Sequence, residues 1–248
     1  MKILISGLGG FMGRELANLC RKGIRGAELI GGIDINGCTD AGVPCSAEFG
    51  SAVPGADVII DFSHHAATQA LTDYAVSGGI PLVIATTGQT EDELAMIAAA
   101  SEKIPVFFAS NYSMGIAILC ELAKRTAALM PDAEIEIIEK HHNRKLDAPS
   151  GTAMTLAKEM ASVRENAEIR CGRSGYGKRE KNEIGIQSVR MGNIVGEHEV
   201  IIGTDNQTIT LKHEAHSRAL FAEGALAAAE FIIGRECGLY DMKSLVKF

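Results

Sequence analysis

The densest chemistry in the chain lies in EKHHNRKLDAPSGTAMTLAKEM, residues 139–160. His141, His142, Arg144 and Lys145 place four groups able to carry positive charge within five residues. The whole chain has a formal net charge of -7, so a basic cluster of this kind is a local anion site in an otherwise acidic protein. Pro149 imposes an extended approach on the residue before it. Ser150-Gly151-Thr152 then opens a helix, with Ser150 as a favoured N-cap and free N–H groups behind it that suit a carboxylate. Two anion-binding devices side by side imply a small substrate with more than one negative group, a dicarboxylate. Histidine exchanges protons near neutral pH, and lysine supplies a fixed charge or a proton. A reductase needs such a proton source next to the atom that receives hydride. The His141-His142 pair has no Cys or carboxylate at ligand spacing, so no metal is expected. A solvated basic face and a plain capped helix are the competing readings, and capping is compatible with anion binding.

A hydride source is suggested at the other end of the chain. GLGGFMG, residues 7–13, sits between a short apolar run and a helical pattern. Glycines let the backbone turn sharply and approach a pyrophosphate, and the helix start adds N–H groups and a positive dipole end. Gly7, Gly10 and Gly13, with Gly9 inside, depart from GxGxxG spacing, but the turn opens a βαβ series, where such a motif has meaning. Asp34 follows roughly 20 residues past the glycines at the end of the second strand, where an acid holds ribose hydroxyls. Ile35, Asn36 and Gly37 bring no cation for a 2′-phosphate, which favours NADH over NADPH. Further strand ends, DFSHH (61–65), ATTG (85–88) and ASNYS (109–113), are rich in small and hydroxyl-bearing residues that can line a nicotinamide site.

These residues need elements to position them. Buried strands are expected at residues 2–6, 28–33, 57–61, 81–85 and 104–108, with helices at 11–22, 66–77 and 91–102 between some of them. Strands alternating with helices predict a Rossmann-type, doubly wound parallel sheet. After about residue 111 the pattern changes to a helix at 114–129, a strand through AEIEIIEKHH and a helix from near Thr152. The basic run IRCGRSGYGKREKNE (169–183) reads as a loop. Then EIGIQSVR, IVGEHEVII and QTITLKHEA follow without intervening helices, implying a mostly antiparallel sheet. An Ala-rich helix at 218–233 is expected to return to the first domain. The chain is thus α/β, with a dinucleotide-binding domain at 1–110, an α+β substrate-binding and oligomerisation domain at 111–217, and a returning segment at 218–248.

The 248 residues are 46% hydrophobic and 22% charged, an ordinary globular balance. The acidic charge argues against nucleic acid or anionic membrane as a partner. No stretch is long and apolar enough to span a bilayer. MKILISGLGG reads as a strand running into a turn rather than a signal peptide. The six cysteines form no CxxC pair and are expected to be reduced thiols of a cytoplasmic protein.

The ordered set of motifs resembles the dihydrodipicolinate reductase family over nearly the whole chain: GLGGFMG, DFS at 61–63, ATTG, ASNYSMG at 109–115, EKHHNRKLDAPSGTA, RMGNIVGEHEV and HEAHSRALFAEGA. The resemblance implies an oxidoreductase of diaminopimelate and lysine biosynthesis. In it NAD(P)H gives hydride to C4 of an unsaturated dicarboxylate ring, and a proton is added at C3. By motif position, His141 is the implied proton donor and Lys145 its partner in proton delivery or carboxylate binding. His142, Ser150, Gly151 and Thr152 are implied substrate ligands. Gly7, Leu8, Gly9, Gly10, Phe11, Met12, Asp34, Ala85, Thr86, Thr87, Ser110, Asn111 and Tyr112 are implied cofactor contacts. The resemblance also implies a homotetramer built through the antiparallel sheets. Two departures bear on NADPH: no Arg accompanies Asp34, and His64 stands where some relatives carry Arg. Two other readings remain, a small dehydrogenase of similar topology acting on another acid, and a non-catalytic NADH-responsive binding protein. Neither requires the HHxxK…SGT arrangement.

Overall fold

The computed structural model describes residues 1–38 and 42–246. In chain order the elements begin with β1 (Lys2–Ser6), α1 (Phe11–Arg21), β2 (Glu28–Ile33), β3 (Cys45–Ser46) and β4 (Val58–Asp61). Next come α2 (Thr68–Gly78), β5 (Leu82–Ile84), α3 (Glu91–Ser101) and β6 (Pro105–Phe108). A second set follows: α4 (Met114–Leu129), β7 (Glu134–His141), α5 (Gly151–Ala161), β8 (Glu168–Cys171), β9 (Glu183–Arg190), β10 (Gly196–Thr204) and β11 (Gln207–Ala215). The chain ends with α6 (Ala219–Ile232), β12 (Gly238–Tyr240) and α7 (Met242–Leu245). These elements form two compact units, Met1–Ser113 with Ala219–Phe248, and Met114–Arg218. Residues 247 and 248 of the returning segment lie outside the described residues.

The first unit carries a seven-stranded sheet in the order β12-β6-β5-β4-β1-β2-β3. Every ladder in it is parallel. Parallel strands covered by helices on both faces must be apolar throughout, and Ile3, Leu4, Ile5, Val58, Ile59 and Ile60 are fully buried. Helix α3 begins with a capping box: Glu93 N–H donates to Thr90 Oγ1 (3.3 Å) and Thr90 N–H to Glu93 Oε2 (2.7 Å). Helix α6 packs on β4, β5 and β6 of this unit. The short strands β3 and β12 and the helix α7 extend it beyond the pattern legible in the sequence.

The second unit carries a five-stranded sheet in the order β11-β10-β7-β9-β8. Strand β10 runs antiparallel to both β11 and β7, while β9 is parallel to β7 and β8. The antiparallel ladders are the longer part of the sheet, yet β9 pairs with β7 and not with its successor β10. Strand β7 alternates buried and less buried positions along its length, as a half-covered strand must. Its inward residues Ile135 and Ile137 join Ile184 and Ile186 of β9, Val200 and Ile202 of β10, and Leu119, Leu156 and Met160 of the covering helices in one core.

Two expectations need correction. The basic run 169–183 is not all loop, since its first residues belong to β8. Ile169 packs against the core, and the basic side chains have partners: Arg170 Nη1 lies 2.6 Å from Glu183 Oε1, and Arg173 also pairs with Glu183. The cysteines are not all free thiols, because Cys38 and Cys45 form a disulfide with a Cα–Cα distance of 5.9 Å. Pairing of Gly32 with Cys45 folds β3 back along β2. That puts Cys45 beside the turn after Asp34, a proximity that spacing alone does not disclose. Cys20, Cys120, Cys171 and Cys237 take part in no disulfide among the described residues.

Candidate active site

In the first unit the candidate residues gather at the carboxyl edge of the parallel sheet, where open α/β sheets bind ligands. Gly7 ends β1 with φ +80°, and a Cβ there would lie 2.6 Å from the Phe62 carbonyl oxygen. A Cβ on Gly13 would lie 2.1 Å from the Gly7 oxygen, and one on Gly9 would lie 2.9 Å from Asp34 Oδ2. Side chains are thus excluded from the turn, leaving a backbone cradle. Helix α1 starts there, and its N-cap Gly10 provides no side-chain cap. Gly9 N–H donates to Asp34 Oδ2 (2.9 Å) and Asn36 N–H to Asp34 Oδ1 (3.0 Å). The glycine turn and the acid at the end of β2 therefore form one assembly. Phe11 is exposed and Met12 half-buried, whereas Leu8 is buried beneath the turn against Gly32. Leu8 thus supports the turn from beneath, with its N–H donated to the Ile33 carbonyl (3.3 Å).

Beside the turn, Phe62, Ser63, His64, His65, Ala85, Thr86 and Thr87 line a cavity of about 250 Å³. Thr86 is buried and donates to Asp61 Oδ2 (2.6 Å), while Thr87 is exposed. His65 Nδ1 lies 2.9 Å from Glu93 Oε2. Ser110 is exposed and Asn111 half-buried after β6. Tyr112 differs in kind from those two. Its ring is buried, and its hydroxyl donates to the carbonyls of Ile84 (2.8 Å) and Phe107 (3.2 Å). It fixes the ends of β5 and β6 to each other.

In the second unit His141 closes β7, with Glu139 two residues earlier on the same face. Glu139 is fully buried. His141 Nδ1 lies 2.5 Å from its Oε2, and Arg190 grips both oxygens at 2.8 and 2.6 Å. The Ser150 N–H donates to Oε1 at 3.1 Å. Register explains the convergence: His141 stands opposite Arg190 on β9, and Glu139 opposite His198 on β10. Burial alone would raise the Glu139 carboxyl, but hydrogen bonds from His141, Arg190, Ser188 and Ser150 outweigh it and hold the group well below the usual carboxylate range. Glu139 is ionised, and its bond to Nδ1 leaves His141 Nε2 as the position that can serve a ligand. A Cβ at Gly196 would approach that Nε2 to 3.1 Å, so glycine there keeps the space beside it open.

Ser150 caps α5 by accepting the Ala153 N–H (3.2 Å), and its Oγ lies 3.1 Å from His198 Nε2. Nδ1 of His198 is buried without a hydrogen-bond partner among the described residues, as is Nδ1 of His142. Burial first, and then the charge of His141, push His198 down to about 4. His142 is lowered by burial and by Arg144, Arg218, His141 and Lys145. Lys145 Nζ pairs with Asp147 at 2.8 Å, and Arg144 donates to Asn193 Oδ1 at 2.9 Å. Gly151 is exposed at the start of α5, with Thr152 behind it. The described residues hold no group of three His, Cys, Asp or Glu able to bind a metal.

The structure thus unites His141 and Ser150 in one hydrogen-bonded network and leaves Lys145 engaged with Asp147. Glu139, Arg190 and His198 join that network although residue spacing did not single them out. Glu139 was legible as the acid two residues before His141 on a strand. Arg190 and His198 arrive from β9 and β10, and only the strand order places them beside β7.

Comparison with known proteins agrees with these features. Residues 1–112 match the family described as dihydrodipicolinate reductase, N-terminus, and residues 115–246 match its C-terminus. A 4-hydroxy-tetrahydrodipicolinate reductase from Caldanaerobacter subterraneus subsp. tengcongensis is 43% identical, over 100% of this chain and 98% of its own. One of the same name from Clostridium tetani is 40% identical, over 99% and 97%. Among solved structures, a dipicolinate-bound dihydrodipicolinate reductase from Paenisporosarcina sp. TG-14 superimposes with a TM-score of 0.83. It is 25% identical, with 100% of this chain and 99% of that one covered. The first unit is accordingly a pyridine-nucleotide-binding Rossmann domain. With both halves of its length matched and relatives at this identity spanning all of it, the chain belongs to the dihydrodipicolinate reductase family.

Proposed function

We propose that this chain is the NAD(P)H-dependent 4-hydroxy-tetrahydrodipicolinate reductase of a diaminopimelate and lysine pathway, with His141 as its proton donor. The observation that carries the site assignment is the bond of Glu139, itself clamped by Arg190, to the Nδ1 side of His141, with Gly196 leaving Nε2 open. The glycine turn fits a dinucleotide, because Gly7, Gly9 and Gly13 have no room for a Cβ and the turn ends at a helix start without a side-chain cap. When bound, that cofactor supplies the hydride that reaches ring C4. The glycine turn of residues 7–12 and the start of α1 would lie against its pyrophosphate, Asp34 would hold its ribose hydroxyls, and Ala85, Thr86, Thr87, Ser110 and Asn111 would frame its ring, with Tyr112 tying the ends of β5 and β6 behind them. In the second unit, His142, Lys145 and the start of α5 at Gly151 and Thr152 hold the dicarboxylate, with Ser150 capping that helix behind them. His141 delivers its proton from Nε2 to C3, while the Glu139 carboxylate stabilises the imidazolium before transfer.

NADH is the favoured donor. Asp34 presents a carboxylate where a 2′-phosphate would sit, and residues 35–37 offer no cation. In this reading residues 1–110 bind cofactor, 111–217 bind substrate and mediate a homotetramer, and 218–248 complete the cofactor domain in a cytoplasmic enzyme. The deciding assay follows loss of NADH and NADPH absorbance, with substrate generated in situ from pyruvate and aspartate semialdehyde by the preceding synthase. Synthase-dependent oxidation with a lower KM for NADH is expected. Oxidation with neither nucleotide would overturn the activity, and a clear NADPH preference would overturn the Asp34 argument.

A further inference from the structure

Asp61 ends β4 and is only 2% exposed. Its Oδ1 accepts the Ser63 N–H (3.2 Å) and the Ser63 hydroxyl (2.5 Å), its Oδ2 accepts the Thr86 hydroxyl (2.6 Å), and Ser6 adds a further side-chain hydrogen bond. All of these partners are neutral, and no cation forms an ion pair with Asp61 among the described residues. The Ser63 N–H is an obligate donor, so Oδ1 is an acceptor whichever way the hydroxyls turn. Burial is the larger cause and on balance raises the group, and the four hydrogen bonds offset that rise only in part. The field of this carboxylate is felt at the neighbouring strand end. Together with burial, which is the larger cause, it pushes the Tyr112 phenol well above its usual range.

An unpaired buried charge is expensive to keep. Asparagine has the same shape and could hold the hydroxyls without that penalty, so what Asp61 adds is its charge. The charge adjoins the cavity of Ala85, Thr86 and Thr87, because two of the lining residues, Ser63 and Thr86, are its hydrogen-bond donors. The other titratable groups of that cavity are otherwise engaged: His65 with Glu93, and His64 Nδ1 with the Ala66 N–H. Loss of a hydride, with its electron pair, to the substrate carbon leaves a nicotinamide ring positively charged. A fixed negative charge in a low-dielectric surrounding distinguishes that ring from its neutral reduced form.

We propose that Asp61 is a positioning residue of the cofactor site whose buried charge favours the oxidised, cationic ring over the reduced one, and so assists hydride donation. This rests on the reading that the cavity receives the nicotinamide ring.

The test is binding rather than turnover. NADH and NAD+ are titrated separately into the wild-type protein and into Asp61→Asn, by nucleotide fluorescence and calorimetry. In the variant the Kd of NAD+ is expected to rise on the order of tenfold relative to that of NADH. Equal weakening of both, the mark of a merely structural role, overturns the proposal, and so does an unchanged ratio. Wild-type protein that binds neither nucleotide overturns the cofactor reading itself, a distinguishable failure. If Asp61→Asn does not fold, wild type decides by comparison of NAD+ with benzamide adenine dinucleotide, whose ring has the same shape without the charge. Tighter binding of NAD+ supports the charge effect, and equal or tighter binding of the neutral analogue overturns it.

Discussion

Glu139 gives His141 a fixed orientation, and the consequences at residue scale can be measured. His141→Gln should lower kcat by roughly 10²–10⁴, the usual worth of a positioned acid, with the NADH Kd nearly unchanged by fluorescence titration. A variant within a few-fold of wild type would remove His141 from the chemistry. Lys145→Ala should raise the substrate KM by about ten- to hundredfold, as loss of a charged hydrogen bond does. Loss of NADH affinity alone would contradict its placement. His198 sets a pH dependence of stability. Its ordinary value of 6.5 falls to about 4 in the fold, so between those values the unfolded chain takes up a proton that the folded chain refuses. The neutral ring is accommodated fully above pH 6.5, and stability is lost as pH falls toward 4, by ~3 kcal/mol from this group. His142 and His213 are shifted in the same direction. Denaturant unfolding across this range should show a shallower slope in His198→Asn than in wild type, and an identical slope would refute the assignment.

At the scale of elements, the site is made by strand pairing. β7 presents Glu139 and His141 on its covered face, β9 delivers Arg190 in parallel register, and β10 delivers His198 from the opposite direction. The start of β10 also controls access, because Gly196 stands against the His141 ring. Gly196→Ala should displace that ring and reduce kcat by roughly ten- to hundredfold, the scale of a small misplacement of a reacting group. Cofactor affinity should be preserved, and unchanged kcat with substrate saturating would show that the space beside Nε2 is not used. In the other unit the comparable device is the Asp34 carboxylate, which is fastened to the Gly9 N–H before any ligand arrives. Much of this architecture was legible: β1, β2, α4, β9 and β11 match the expected bounds, since apolar runs and periodicity are local properties. The partners of β9 were not legible, because a strand's neighbours depend on how the intervening chain is routed.

For the whole molecule, two units divide the work: the first holds the glycine turn and Asp61, the second the basic and acidic network around His141. Strand β11 has most of its residues exposed in the single chain, which supports the tetramer reading. Light scattering should give four times the mass of one chain. A monomer that retains full activity would refute that reading. The sequence by itself determined the class of the fold, the glycine turn, Asp34, and the basic cluster His141 to Lys145 ahead of the Ser150 cap, because each is written in consecutive residues with local geometry. Only the tertiary structure decided that Arg190 clamps Glu139 and Glu139 holds His141, that His198 stays neutral beside Ser150, that Cys38 meets Cys45, and that Asp61 is buried among neutral donors. Those facts depend on which groups meet across strands and on how far water is excluded from them, and both are set by packing rather than by order along the chain.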